Sequence, residues 1–197
     1  MSLTFRTSSQ SDFSKKFIIE ATSLIFHKTL SNIIHQHSTL TNTPEPPLQA
    51  PFTSQTPSQI PISTYLTRII SFTQIELNTL INSLIYLDRF LYKTNTTLTN
   101  SNIHRLLICS ILASIKYNED ITFQMNYYSQ IFGVSLKELR KLERAFAIKM
   151  GFEFYVNDDV FERYKGYIDI ELKELIKQHK EKGKVIEDQR EEIKMFT

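Results

Sequence analysis

Glycine and proline, the residues that most often interrupt regular structure, are confined to two parts of this 197-residue chain. All six prolines lie between Pro44 and Pro61, and all four glycines lie from Gly133 onward. Residues 1–43 and 62–132 therefore contain neither. A β-sandwich or barrel needs many turns built on these residues, and a phosphate-binding loop needs closely spaced glycines. The distribution argues against both and favours an all-α fold.

Apolar residues recur every three or four positions along most of the chain, which is the spacing of amphipathic helices. Ser135 and Glu138 have the spacing of a capping box, and Gly133 and Gly151 are placed to end helices. A second capping box, Asp159 with Glu162, would open the last helix. We expect helices over residues 12–37, 62–72, 74–92, 100–116, 123–132 and 135–150, and from 159 to about 178.

The pattern predicts a five-helix bundle between residues 74 and 178, entered by the short helix 62–72, with an N-terminal accessory helix. Residues 100–116 are apolar almost all round, so this helix belongs at the centre of the bundle. The proline-rich part has no periodicity and would be extended, because proline stiffens the chain and removes a donor. We divide the chain into an N-terminal helical extension (1–43), a proline-rich strap (44–61), the bundle domain (62–178) and a charged tail (179–197).

Bulk composition excludes several classes of protein. The net charge of +2 is too small to indicate a nucleic-acid partner. No apolar run approaches the roughly 20 residues that a membrane span needs, and the N-terminus has no apolar signal core. The single cysteine, Cys109, excludes an internal disulfide framework and a cysteine zinc site. We expect a protein of the cytoplasm, the nucleus or both, with no membrane partner.

Four short stretches of the chain, taken in order, resemble a cyclin box. The variety most similar is the single-box cyclin of the phosphate-pathway (Pho) type, also called P- or U-type, and the resemblance covers roughly residues 44–165. The stretches are PISTYLTRI (61–69), YLDRF (86–90), HRLL with ASIKYNED (104–107 and 113–120) and LERAF (142–146).

The resemblance implies the cyclin-box fold and a regulatory role. Cyclins of this kind bind a cyclin-dependent protein kinase as a heterodimer and activate it by holding its C-helix in the active position. They supply no reacting group, so we expect no enzyme activity, catalytic residue, metal or cofactor. The residues that the resemblance places against the kinase are Lys116, Glu143, Tyr127, Tyr128 and Phe146.

The roles of these five residues also have plainer interpretations. Lys116 and Glu143 could be ordinary exposed helix charges, and in the resemblance they contact the kinase main chain beside its C-helix. The three aromatic side chains could instead be core. Arg68 and Asp88 resemble a structural pair that ties the entry helix to the first helix of the box, and we interpret them as an internal salt bridge.

One departure from other cyclins concerns substrate docking. Many mitotic and S-phase cyclins carry a Met-Arg-Ala-Ile-Leu stretch with a Trp shortly after it, and these residues form a docking groove. Here the aligned stretch is Thr67-Arg68-Ile-Ile-Ser71, and the chain has no Trp. We therefore do not expect substrates to dock by that route.

Two catalytic or metal-binding interpretations have little support. His35 and His37 cannot face the same way on a helix, and only His27 is near them, so surface histidines are the simpler interpretation. His104 and Cys109 are five residues apart and project to different helix faces, which argues against a nucleophile–base pair.

An alternative function is a cyclin-fold transcription-factor or nucleic-acid-binding module. Its motivation is a basic helix between residues 137 and 149. That helix carries the cations Lys137, Arg140, Lys141, Arg144 and Lys149. The balanced total charge argues against this alternative.

Overall fold

Helices make up the regular structure of the described chain. The computed structural model describes residues 51–54, 56, 58–171, 173, 174 and 177, together with residues 23, 26, 28, 30 and 31. The bounded helices are α1 (Ile62–Thr73), α2 (Leu77–Thr94), α3 (Ile103–Asn118), α4 (Met125–Phe132) and α5 (Leu136–Met150), and residues 158–171 form a further helical segment, α6. None of the described residues is in a β-strand. The all-α prediction is confirmed.

The helix α3 lies at the centre of the bundle, as its apolar sequence predicts. Ten of its 16 residues are buried, and it packs against both α2 and α5. Two of the buried residues are serines, and neither is left unsatisfied. Ser110 donates to the carbonyl of Leu107, and Ser114 donates to the carbonyl of Thr79 on α2 at 2.5 Å. Small hydroxyl side chains thus let α2 and α3 approach closely.

The starts of α2 and α3 lie three residues later than the periodicity predicts, for local reasons. Gln74 ends α1 in the left-handed conformation, with φ of 52°, so α2 cannot begin there and starts at Leu77. Before α3, the Asn102 side chain accepts from the Thr99 amide and donates to the Thr97 carbonyl. These bonds hold residues 97–102 in a turn, and the helix starts at Ile103.

The capping signals are partly realised. Ser135 Oγ accepts from the Glu138 amide at 3.1 Å, and α5 ends at Gly151, whose φ is 66°. The Glu138 carboxylate, however, is paired with Arg105 of α3. At α6 the cap is Asn157, whose side chain accepts from the Asp159 amide, and the helix is already formed at residue 158. The box predicted at Asp159 is therefore misplaced.

The described residues near the N-terminus are helical and pack on the bundle. Phe26 and Leu30 are buried in the main core. Ser23 donates to the carbonyl of Ser63 on α1, and Lys28 forms an ion pair with Glu171 of α6. The three histidines considered as metal ligands, His27, His35 and His37, and the tail 179–197 lie outside the described residues.

The strap is anchored to the bundle by one arginine and one phenylalanine. Phe52 is fully buried and makes an edge-on contact with the ring of Phe90. Arg105 of α3 donates to the carbonyls of Pro51 and Thr53, at 2.7 and 2.9 Å, and pairs with Glu138 of α5. One guanidinium therefore joins the strap, α3 and α5. No sequence pattern indicated this role for Arg105.

Candidate functional site

An ion pair between Lys116 and Glu143 marks the candidate site. Lys116 lies in the last turn of α3 and Glu143 in the middle of α5, and Lys116 Nζ donates to Glu143 Oε1 at 2.5 Å. The two side chains are 38% and 29% exposed. The structure thus brings together two residues that are 27 positions apart and leaves both accessible from solvent.

The core-facing stripe of α5 explains where Glu143 lies. The stripe follows the three-to-four spacing of a helix face. Glu143 is beside this stripe, on the side where α5 packs on α3. Arg105 and Glu138 form a second ion pair between the same two helices. The buried residues of the stripe are Leu139, Leu142, Phe146 and Met150.

The end of α3 that carries Lys116 also carries an aromatic residue. Tyr117 follows Lys116 directly and is 53% exposed. Its ring centroid is 6.0 Å from that of Phe154, which is half-buried and packs in turn on Tyr86. Tyr86 also donates to the Phe154 carbonyl and so fixes this segment. Tyr117 was not predicted from the sequence, because a helix that is apolar almost all round gives no signal for which aromatic residue remains exposed.

Tyr127 belongs to a partly exposed aromatic cluster between α1 and α4. Its hydroxyl donates to the carbonyl of Phe72 at 3.0 Å, and its ring centroid is 4.6 Å from that of Phe123. Phe72 and Phe123 are both exposed. Tyr127 itself is half-buried, so part of its side chain is accessible.

Tyr128 and Phe146 are core residues in this structure, which is the plainer of the two interpretations of their sequence positions. Each is only 1% exposed. The ring of Phe146 stacks on that of Phe90 with a centroid separation of 4.8 Å. Burial raises the pKa of Tyr128, whose hydroxyl accepts from the Phe123 amide. Both side chains therefore contribute to the packing of the bundle.

Arg68 and Asp88 each have a partner other than the one expected. Arg68 is exposed and donates to the carbonyl of Gln130 at 2.8 Å, which ties α1 to α4. Asp88 accepts from the hydroxyl of Tyr164 at 2.6 Å, which ties α2 to α6. Because water reaches Arg68, its charge does not need a carboxylate for neutralisation. Both residues still join helices, but separately.

The groups considered for catalysis are unsuited to it. Cys109 is buried in the core, and burial raises the pKa of its thiol, which keeps it protonated and inert. His104 contacts the carbonyl of Ile60 through Nε2. Over the part of the chain that the structure describes, no three potential metal ligands cluster, and no helix has the length and apolarity to cross a membrane.

Comparison with known proteins agrees with this architecture. A family model described as Cyclin matches residues 16–154. Cyclin-U4-3 of Arabidopsis thaliana is 36% identical over 127 residues, which are 64% of this chain and 58% of the relative. Cyclin-U4-1 of the same plant is 34% identical over 114 residues, covering 57% and 56% of the two chains.

A third relative comes from rice. Cyclin-P4-1 of Oryza sativa subsp. japonica is 34% identical over 122 residues, which are 61% of this chain and 58% of the relative. The matched segment thus spans a little more than half the length of these relatives. Their U-type and P-type names confirm the resemblance to Pho-type cyclins. With a family match over most of its length and an all-α bundle of the expected helices, the chain belongs to the cyclin family.

Proposed function

We propose that the chain is the regulatory subunit of a cyclin-dependent protein kinase, which it binds as a heterodimer and activates. The observation that carries the proposal is the Lys116–Glu143 ion pair at the end of α3, where the next residue, Tyr117, is an exposed aromatic. Membership of the cyclin family supports it. The surface we propose for contact comprises Lys116, Glu143, Tyr117 and Phe154, with Tyr127 as a peripheral contact.

The ion pair suits recognition of a backbone segment. An ammonium group offers several donors, and a carboxylate offers acceptors on two oxygens. The end of a helix or a loop presents carbonyls and amides without intrahelical partners. Lys116 would donate to such a carbonyl and Glu143 would accept from such an amide. Charge-assisted bonds of this kind fix the orientation of the partner.

The aromatic side chains supply the apolar part of the contact. Tyr117 is exposed and Phe154 is half-buried beside it. An amphipathic helix buries its apolar face in such a surface, and large aromatic residues carry much of the binding free energy at interfaces. Tyr128 and Phe146 are buried, so we do not include them among the residues that touch the kinase.

Activation then follows from position alone. When the kinase C-helix is held inward, its Glu pairs with the Lys of the ATP site, and the groups that bind metal and substrate come into line. The chain contributes no reacting group to this step. Its effect is a shift of the kinase population toward the active conformation.

The test is co-expression of the tagged full chain with each cyclin-dependent kinase of the organism from which it comes. Co-purification measures binding, and phosphorylation of a generic peptide substrate measures activation. The critical variant combines Lys116→Glu with Glu143→Lys. This swap keeps the net charge and can re-form the ion pair, but it reverses donor and acceptor. We expect binding to fall by at least about tenfold, since two charge-assisted bonds would be lost.

A matched swap separates this effect from a general change of charge pattern. Glu162 and Lys165 form an exposed ion pair within α6. The variant Glu162→Lys with Lys165→Glu should bind like the unmodified chain. If the Lys116–Glu143 swap also binds normally, the contact surface is wrong. If no kinase co-purifies with the unmodified chain, the regulatory function itself is wrong.

A further inference from the structure

The helix α5 carries positive charge that the rest of the described chain does not neutralise. It contains five basic residues and only two acidic ones, Glu138 and Glu143. Both acids pair with cations of α3, namely Arg105 and Lys116. The exposed cations Lys137, Lys141 and Arg144 have no ion pair with any described acidic residue. We call these three residues the α5 basic face.

The α5 basic face points away from both the core and the candidate kinase surface. Its residues are spaced i, i+4 and i+7, so they form one line about 10 Å long, given a rise of about 1.5 Å per residue. At about 100° of rotation per residue, this line is opposite the buried stripe and roughly a quarter turn or more from Glu143. Ile148, one turn beyond Arg144 on the same line, is 56% exposed.

A groove runs along one side of this face. Lys137 and Lys141 line an open groove of about 550 Å³ whose opposite wall is the strap. The strap contributes hydroxyl-bearing residues to that wall, which make the groove polar. The groove is also positively charged, because Arg105, Lys137 and Lys141 line it with only one acidic residue, Glu138. The hydroxyl-bearing residues on the strap side are Thr53, Ser54 and Thr56.

We propose that the α5 basic face binds an extended acidic segment of a partner protein, with Asp or Glu at alternate positions and an apolar residue at one end. Alternate side chains of an extended peptide share one side and are about 6.6 Å apart. Cations at i, i+4 and i+7 of a helix are separated by about 4.5–6 Å along the axis. The two spacings match within the reach of lysine and arginine side chains. Ile148 would contact the apolar end.

A peptide fits this face better than a nucleic acid does. Affinity for nucleic acid rests on many phosphate contacts. The face offers three cations on a single line, the carboxylates of Glu138 and Glu143 lie on either side of it, and the whole chain has a net charge of only +2. A short acidic peptide needs no more than this line.

The test uses the full chain and a fluorescent peptide of about 12 residues with Asp or Glu at alternate positions and a terminal Leu. Fluorescence anisotropy at low salt measures binding, and the Asn/Gln version of the peptide should not bind. Reversal of the face (Lys137→Glu, Lys141→Glu, Arg144→Glu) should weaken binding by at least about tenfold. Ile148→Ser should weaken it by several-fold, because apolar contact is lost.

A control with the same change of net charge tests whether position matters. Lys149, Lys173 and Lys177 are exposed and lie outside the face, and their reversal to Glu should change affinity by less than about twofold. Circular dichroism checks that each variant is folded, and Lys137→Gln with Lys141→Gln replaces the triple reversal if that variant is not. Equal weakening by the control, or tighter binding of a DNA duplex than of the peptide at the same face, would overturn the proposal.

Discussion

Lys116 Nζ lies 2.5 Å from Glu143 Oε1, so the two charges that we propose for kinase contact neutralise each other in the isolated chain. A partner that inserts between them must offer both an acceptor for the ammonium and a donor for the carboxylate. A partner with only apolar groups would separate the charges and leave both unsatisfied. The pair therefore selects for polar backbone groups as well as for apolar area.

The ion pair should matter much more for binding than for folding. Lys116→Ala should lower the free energy of unfolding by less than about 1 kcal/mol, because exposed pairs contribute little to stability. Urea denaturation of the isolated chain measures this. The same variant should weaken kinase binding clearly. A stability loss several times larger would mean that the pair is chiefly a fold element.

Arg105 should be far more important for stability than an ordinary surface arginine. Arg105→Met removes bonds to two strap carbonyls and to Glu138. A bond to a charged group contributes up to roughly 2 kcal/mol, but these groups are only part-buried, so water replaces part of each lost bond. We therefore expect the free energy of unfolding to fall by about 2–3 kcal/mol in urea denaturation, and proteolysis of the strap to be faster. Arg140→Met, at an exposed α5 position, is the control. Equal losses of stability in the two variants would contradict the role of Arg105 in joining the strap to α3 and α5.

Phe146 should behave as a core residue. Phe146→Ala leaves a cavity against Phe90 and should destabilise the fold by about 3–5 kcal/mol. The same change at Phe152, which is 70% exposed, should alter stability by less than about 0.5 kcal/mol. Thermal or urea unfolding compares the two. If Phe146→Leu keeps the fold but abolishes kinase binding, Phe146 has a contact role that its burial does not suggest.

Four tyrosines should resist ionisation until the chain unfolds. Burial raises the pKa of Tyr65, Tyr86, Tyr128 and Tyr164 above the ordinary 10.0. The folded state therefore favours their neutral form, and this contribution to stability is present below pH 10 and is lost as the pH rises further. We expect part of the phenolate absorbance to appear only with the loss of circular dichroism.

The titration has a simple control. The variant Tyr164→Phe should remove one phenol from the late phase and none from the early phase. If all nine tyrosines of the chain ionise before the helical signal falls, the burial of these four in solution differs from that in the structure.

Local signals predicted the fold well because helices depend on short-range spacing. The Ser135 cap and the glycines at 133 and 151 act within a few residues of the helix ends that they define. Gln74 and Asn102 shifted two helix starts because their effects come from a backbone conformation and a side-chain turn that periodicity does not report.

Contacts between distant parts of the chain were the hardest to predict. The family resemblance named Lys116 and Glu143, but only the packing of α3 on α5 shows that they touch. The partners of Arg68 and Asp88 likewise depend on which helix each side chain meets, and a pairing of two opposite charges in the sequence does not determine this. Tyr127 is half-buried and Tyr128 is buried because consecutive residues point in different directions around α4.

The bonds of Arg105 to the strap have a consequence for the order of folding. They join residues 52 and 54 positions apart, and Glu138 of the same cluster lies 33 positions further on. During synthesis the strap leaves the ribosome before α3 does, so its carbonyls have no Arg105 donor until α3 has been made, and Arg105 has no Glu138 partner until α5 has been made. Contacts of such long sequence separation form late. We therefore expect strap closure to be a late step, completed only after α3 and α5 have docked.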